Sequence, residues 1–391
     1  MTERALRIGL NLVFLNERSG GVGRYARELV PALLDAEPGV RITAFVSREL
    51  PADVRSADWA SAVEWVTLPV RTSGGPPGSF ALATAAQWLA LPLEASRRGV
   101  DVVHGLANVA PLWLPRAASV VTLLDLIWLH FPSALEPAAA LGMRRVALPS
   151  VRRADRVIAI SRVAREDMIE TLGIPSERVD VTPLGVAAPS PAVPATAPTD
   201  LRRKLALGEQ HIVATVSAGR EHKNLPRLLR AFAALERDDC ALVIAGDMAP
   251  QERELRELAA AAGVEDRVRL PGWLSPEDHE GLYRAATCFV VASLVEGFGL
   301  PVLEAMQREV PLACSQTSAV GEVASDAAER FDPYSELEIT AALDRLLGDP
   351  ARRAELIQRG LERCAIYTWQ ETARATLISY RRAIRGRVAS R

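Results

Sequence analysis

The sequence has no apolar run approaching the ~20 residues that a membrane-spanning helix needs, so no helical span is expected. Its cysteines are few and far apart: Cys240, Cys288, Cys314 and Cys364 lie in mostly apolar segments with no metal-ligand spacing. That pattern argues against a disulfide framework or a zinc site and reads as buried free thiols in a reducing cytoplasm. Net charge is −2, so there is no cationic field to suggest nucleic acid as a partner. No Asp-x-Asp pair offers a metal clamp, and no Gly-x-Ser-x-Gly, His-Glu-x-x-His or Gly-x-x-x-x-Gly-Lys-Ser/Thr occurs. The first apolar stretch, from Ile8 to Leu15, holds Asn11 and no small-residue cleavage pattern, so it reads as a strand and not a signal peptide.

Lysine is scarcer still. Of 46 cationic residues, Lys204 and Lys223 alone are lysine. A chain that relies on arginine can keep lysine where a compact, strongly hydrated point charge is needed. Lys204, beside Arg202 and Arg203, reads as part of a cationic surface run. Lys223 is the candidate for a chemical role.

What is present is an ordinary globular composition, 49% apolar and 24% charged over 391 residues. That length suggests two or three domains. Strands are expected over 7–15, 41–46, 100–104, 119–124, 156–160 and 179–182, and helices over 23–34, 80–97, 144–153 and 162–171. Residues 186–200 carry four prolines among small residues and read as a semi-rigid linker without helix or strand. The alternation then restarts. Strands are expected over 211–216, 241–245, 268–270, 288–292 and 311–315. Helices are expected over 225–234, 250–262, 276–285, 301–308 and 369–384. Alternating strand and helix implies an α/β protein with parallel sheets covered on both faces. In such sheets ligands bind outside the carboxyl ends of the strands.

Four segments carry chemistry. In Ser293-Leu-Val-Glu-Gly-Phe-Gly-Leu-Pro-Val-Leu-Glu304, Gly297 and Gly299 permit a tight turn and Pro301 suits a first helical position. The backbone N–H groups from Phe298 to Leu300 would then form an anion site. Glu296 and Glu304 flank it and suit neutral hydroxyls, or else complement the helix dipole. In Ser217-Ala-Gly-Arg-Glu-His-Lys-Asn224, Arg220 and Lys223 could converge on a diphosphate, as a fork and a point charge. Ser19-Gly-Gly-Val-Gly-Arg-Tyr-Ala26 matches a dinucleotide fingerprint weakly. It reads better as a glycine loop, with Gly21 and Gly23 near a donor's phosphates. Asp125 ends an apolar strand and is either a site residue or a helix cap. His104 and His130, also near strand ends, are structural or functional on equal terms.

Glu296 and Glu304, eight apart with Gly-Phe-Gly-Leu-Pro between them, resemble the signature of the family 4 retaining glycosyltransferases. The resemblance covers most of the chain. It takes in Gly20-Gly-Val-Gly-Arg-Tyr25, Ser161, Pro183-Leu-Gly185, His222-Lys-Asn-Leu225, Gly272-Trp-Leu-Ser275 and Gly321-Glu-Val-x-x-Asp-Ala-Ala328. It implies the GT-B fold: two Rossmann-like, doubly wound parallel-sheet domains facing a central cleft. Residues 1–187 would bind the acceptor, 188–200 would link, and 201–368 would bind a nucleotide-sugar donor. A helix over about 369–391 would pack back on the first domain.

By the same resemblance, Glu304 would hold ribose hydroxyls and Glu296 would lie by the transferred sugar. Gly297, Phe298, Gly299 and Leu300 would contact its hydroxyls and the phosphate. Lys223 with Arg220 would neutralise the diphosphate in place of a metal, and Trp273 would border the base. Three positions depart from the pattern. Leu124 stands where many relatives have histidine before Asp125, His222 where many have arginine, and Arg308-Glu-Val-Pro311 where a Gly-x-Pro turn is common.

The expected activity is metal-independent transfer of a hexosyl group from a nucleoside diphosphate sugar, a co-substrate, to a hydroxyl with retention; no resident cofactor is expected. The acceptor would be a saccharide, a lipid-linked molecule or a small molecule. A nucleotide-sugar epimerase on the same fold and a catalytically silent sugar-nucleotide-binding subunit remain as alternatives. The expected location is cytoplasmic. Arg144, Arg145, Arg152, Arg153 and Arg156 form either a solvated helix face or a peripheral contact with anionic lipid at the inner membrane face.

Overall fold

Strands whose residues are apolar on both faces become the interior of two parallel sheets. The structure, a computed structural model, describes residues 4–17, 19–72, 79–132, 137–249 and 251–389. The first sheet is built from β1 (Arg7–Leu12), β2 (Arg41–Val46), β3 (Val63–Thr67), β4 (Val102–Gly105), β5 (Ala118–Leu123), β6 (Arg156–Ala159) and β7 (Val179–Val181). Its order is β3-β2-β1-β4-β5-β6-β7, all pairs parallel. The second is built from β8 (His211–Val216), β9 (Cys240–Ala245), β10 (Val268–Gly272), β11 (Cys288–Val291), β12 (Leu312–Ser315) and β13 (Glu329–Phe331). Its order is β10-β9-β8-β11-β12-β13, again parallel throughout.

Both sheets are doubly wound. The chain steps outward from β1 to β3, then returns to lay β4 beside β1; it steps from β8 to β10, then lays β11 beside β8. Each sheet therefore has one point where the strand order reverses, and helices leave it in opposite directions.

The chain divides into two compact units. One takes residues 1–130, 135–185 and 368–391, the other 131–134 and 186–367. The division thus falls at 185/186 and 367/368, two residues before and one before the expected boundaries. The last helix, Trp369–Ala389, belongs to the first unit and is anchored by buried polar bonds. Ser379 Oγ donates to Asp180 at 2.8 Å, and Thr372 Oγ1 donates to the Pro183 carbonyl at 2.8 Å. Tyr380 Oη meets His104 Nδ1 at 2.7 Å. Gly185 is needed where the chain passes this helix, because a Cβ there would sit 2.3 Å from the Trp369 nitrogen.

Four expectations need correction. The segment from Ser19 is not a loop: the helix Gly20–Ala36 already begins at Gly20, so Gly21 and Gly23 lie in its first turns. The linker is not wholly irregular: Pro198 sits in the first turn of the helix Pro198–Lys204, where its missing N–H costs nothing. Thr196 Oγ1 and Lys204 Nζ each donate to Asp278 at 2.6 Å, tying this end of the linker to the second unit. The single helix expected over 80–97 is broken by a π turn, Ala86–Ala90, just before Pro92. Proline has no N–H for the carbonyl four residues back and its ring crowds that carbonyl, which the wider turn relieves. Finally, β3, β13 and the helices Ser318–Ala324, Glu336–Gly348 and Pro350–Ile366 were not expected.

Candidate active site

Because β8 and β11 are neighbours, the segments leaving their carboxyl ends meet at the reversal point of the second sheet. From β8 the chain runs through Arg220 into one 3-10 turn, Glu221–Lys223, and then Asn224 at φ +60°. Asparagine is among the few residues that take this left-handed conformation readily. Its buried amide holds the turn in place: Nδ2 donates to the carbonyls of Ala292 (3.1 Å) and Pro333 (2.7 Å), and Oδ1 accepts from Arg227 (2.7 Å). From β11, Leu294 N donates to the His222 carbonyl at 2.8 Å. The two loops are thereby stitched together, and Lys223 is directed at Glu296.

Lys223 Nζ donates to Glu296 Oε1 at 2.5 Å, and Ser293 Oγ donates to the same oxygen at 2.7 Å. Both side chains of the pair are largely buried, at 20% and 13% exposure. Burial pushes the Glu296 carboxyl up, but the Lys223 charge and the hydrogen bonds from Lys223 and Ser293 outweigh it and hold it below the ordinary range. Burial also pushes His222 down, as does the Lys223 charge; Glu296 opposes and Arg220 adds to the fall, leaving the imidazole at about 4. His222 is therefore neutral at pH 7. The Lys223 and Arg220 charges both add to that fall.

The glutamate segment ends in a helix start. Gly299 caps the helix Leu300–Gln307 at φ +96°, a conformation that favours glycine, and a Cβ there would lie 3.3 Å from Val320 Cγ2. The first N–H groups of this helix lack intrahelical acceptors and carry partial positive charge. Gly297 leads into the turn, and Phe298 is buried with its ring edge-on to Tyr367 at 5.7 Å. Glu304, one turn into the helix, is buried and accepts from Tyr283 Oη at 3.2 Å.

Lys223, Arg220, Glu296, Gly297, Phe298, Gly299, Leu300 and Glu304 thus lie on two facing loops and one helix of the second unit. Trp273 follows β10 at the sheet edge with 81% of its surface exposed. Gly21, Gly23 and Asp125 are on the first unit. Asp125 Oδ1 accepts from Ile127 N at 3.1 Å, the cap arrangement, at the start of the helix Ile127–His130. His104 is fully buried between Tyr380 and Thr122, where burial lowers its pKa to about 3. His130 pairs with Asp167 at 2.9 Å. Both histidines are accounted for structurally.

Chemically, a cationic Nζ, a guanidinium and a helix start suit an anion, while buried carboxylates suit hydroxyls. The expected division, with Lys223 on one ligand group and Glu296 on another, differs from the geometry, in which the two hold each other. Three supporting residues had no role in the sequence reading: Ser293, Asn224 and Tyr283. Ser293 and Asn224 lie inside the segments singled out there. Tyr283, in the helix Pro276–Ala285, carries no local signal. Among the described residues no group of three or more His, Cys, Asp or Glu side chains is arranged to hold a metal ion, all four cysteines are buried and free, and no helix is long and apolar enough to cross a membrane.

Residues 198–363 match the glycosyl transferases group 1 family, and residues 19–188 match Glycosyltransferase Family 4. The MMP alpha-(1->4)-mannosyltransferase of Mycolicibacterium hassiacum is 28% identical, across 98% of this chain and 100% of that protein. The O-antigen chain mannosyltransferase B of Escherichia coli is 28% identical over 72% of this chain and 74% of its own. Among solved structures, the sucrose-phosphate synthase of Thermosynechococcus elongatus superposes with a TM-score of 0.74 at 21% identity, covering 96% and 98% of the two chains. Anabaena Alr3699/HepE in complex with UDP-glucose gives 0.70 at 18% identity, covering 99% and 100%.

Proposed function

From the premise that the chain is a glycosyltransferase of the GT-B fold, we propose that it moves a hexosyl group from a nucleoside diphosphate sugar to an acceptor hydroxyl, with retention and without a metal. The carrying observation is the Lys223–Glu296 pair beside the Gly299 helix start. The diphosphate would replace Glu296 as the partner of Lys223, with Arg220 and the N–H groups near Leu300 sharing its charge as the bond to the sugar breaks. Glu296, released from Lys223 but still near it, would take sugar hydroxyls together with Gly297 and Phe298. Glu304 would hold the ribose and Trp273 would border the base. Anabaena HepE, bound to UDP-glucose, supports a nucleotide-sugar donor.

With Glu296 taken up by the sugar hydroxyls, the proposed retention would proceed without a carboxylate acting as covalent nucleophile. The leaving phosphate would instead help deprotonate the acceptor on the same face. Proton NMR of the product tests this: an anomer inverted relative to the donor sinks the retaining mechanism. The acceptor would be a saccharide, a small molecule or a lipid-linked molecule met at the cytoplasmic membrane face. For the last, Arg144, Arg145, Arg152 and Arg153 are exposed on the helix Pro137–Arg153, whereas Arg156 is committed to Asp180. Salt-sensitive sedimentation with anionic liposomes would support that choice, and none at low salt would remove it.

A further inference from the structure

A cavity of about 350 Å³ opens at the reversal point of the first sheet, between the carboxyl ends of β1 and β4. Asn11 reaches it from β1, Asn108 from the segment after β4, Leu124 from the end of β5 and Gln87 from the π turn. These side chains are fixed by the protein itself. Asn11 Nδ2 donates to Gln87 Oε1 at 2.8 Å and to the Val109 carbonyl at 3.2 Å, and Gln87 Nε2 donates to the Ala83 carbonyl at 3.1 Å.

Asn108 is the informative member. Its Oδ1 accepts from Leu124 N at 2.9 Å, which sets the orientation of the amide and leaves the NH₂ end as the remaining group. No acceptor among the described residues meets that Nδ2, although Asn108 is 9% exposed. That NH₂ group is not among the fully buried polar atoms that lack a partner, so it is accessible and a ligand oxygen can accept from it. The residue is also held at φ +61°, a sparsely populated region for a residue with a side chain. A second backbone departure, the π turn carrying Gln87, lines the same cavity, and such turns recur at functional sites.

The wall has two kinds of surface. Amides and hydroxyls, such as Asn16, Thr84 and Gln87, both give and accept hydrogen bonds; Leu124, Met143 and Val146 form an apolar side. Every described side chain lining the cavity is uncharged. A sugar or cyclitol ring has this duality, with hydroxyls at its edge and C–H groups on its face. A phosphate would instead be left without charge-assisted partners there.

We propose that this cavity is the acceptor subsite, that it takes an uncharged, hydroxyl-rich ring with one apolar face, and that Asn108 Nδ2 selects it by donating to a ring oxygen or hydroxyl. The proposal rests on the reading that the first unit binds the acceptor. The test is calorimetry on the full chain with phenyl glycosides of glucose, galactose and mannose, the parent sugars, myo-inositol and the hexose 6-phosphates, with UDP and GDP titrated in parallel. At least one phenyl glycoside should bind saturably, more tightly than its parent sugar and than the phosphates. Asn108→Gly, which accepts the φ of +61°, should weaken that binding about fivefold or more. Met143→Trp should abolish it by filling the cavity. Both variants should keep the nucleotide affinity of the wild type, and a wild-type circular dichroism spectrum with cooperative thermal unfolding shows that the first unit folds. The proposal is overturned if no neutral ring binds, if a phosphate binds more tightly, or if both variants, with nucleotide binding intact, bind the ring as the wild type does. Failure of UDP and GDP to bind the wild type would count against the donor reading instead.

Discussion

Lys223 and Glu296 are each stabilised by the other, so removing one leaves a buried charge behind. Lys223→Ala should cost about 3 kcal/mol in urea unfolding and lower turnover by roughly 10²-fold or more. Lys223→Ala combined with Glu296→Gln should recover much of the stability and none of the turnover. That result would separate the structural role of the pair from its chemical one. Acid behaviour follows from the same residues. The Glu296 carboxyl is depressed, so its contribution is present above its ordinary value of 4.5 and is lost as pH falls through the lower folded value. His222 is the opposite charge type but acts in the same direction. It stays neutral down to about 4 when folded but takes a proton near 6.5 when unfolded, so stability declines between those values. His222→Asn should flatten the fall in melting temperature from pH 6.5 to pH 4; an unchanged slope would mean that His222 is not held neutral. The segments that carry Lys223, Glu296 and Glu304 stand out in the sequence because they are short and glycine-marked. That Lys223 and Glu296 pair was not legible there, because 73 residues separate them.

The helix start at Gly299 is the element on which the donor reading depends. Gly299→Ala must adopt φ +96° and push a Cβ to 3.3 Å from Val320. A loss of about 1–2 kcal/mol is expected, together with weaker stabilisation by UDP or GDP in thermal unfolding. Full ligand stabilisation in this variant would place the phosphate elsewhere. The central strands were readable because they are apolar runs bounded by turns. β3 was harder, as an edge strand that interleaves Glu64 and Thr67 with its apolar residues, and β13 is three residues with a charge at its centre. The helix Glu336–Gly348 repeats Ile339, Ala342, Leu343, Leu346 and Leu347 at helical spacing, a signal present in the sequence but outside the motif segments. The helix Pro350–Ile366 offers little such signal. It buries Leu356, Gly360 and Cys364, a narrow face of mostly small residues that lies close against Met306.

At the scale of the molecule, two sheets of the same topology are specialised differently at equivalent points. The reversal point of the second carries Lys223, Glu296 and a helix start; that of the first carries neutral amides and an apolar wall. The closing helix, Trp369–Ala389, holds the first unit together through Asp180, which receives Arg156, Ser379 and Arg382. Asp180→Ala should destabilise the chain by about 3 kcal/mol while leaving nucleotide affinity intact. Loss of nucleotide binding in a folded Asp180→Ala variant would mean that the units are energetically coupled. The two-domain architecture was legible from the strand–helix alternation and the proline-rich break. The cavity of the first unit was not, because Asn108 and Gln87 stand in no recognisable motif and come together there through an unusual backbone. The most direct measurement is calorimetric titration of the wild type and Lys223→Ala with UDP and GDP in metal-free buffer. The account predicts saturable binding of at least one, weakened about tenfold or more in the variant. Binding of neither, or equal binding by both proteins, would contradict it.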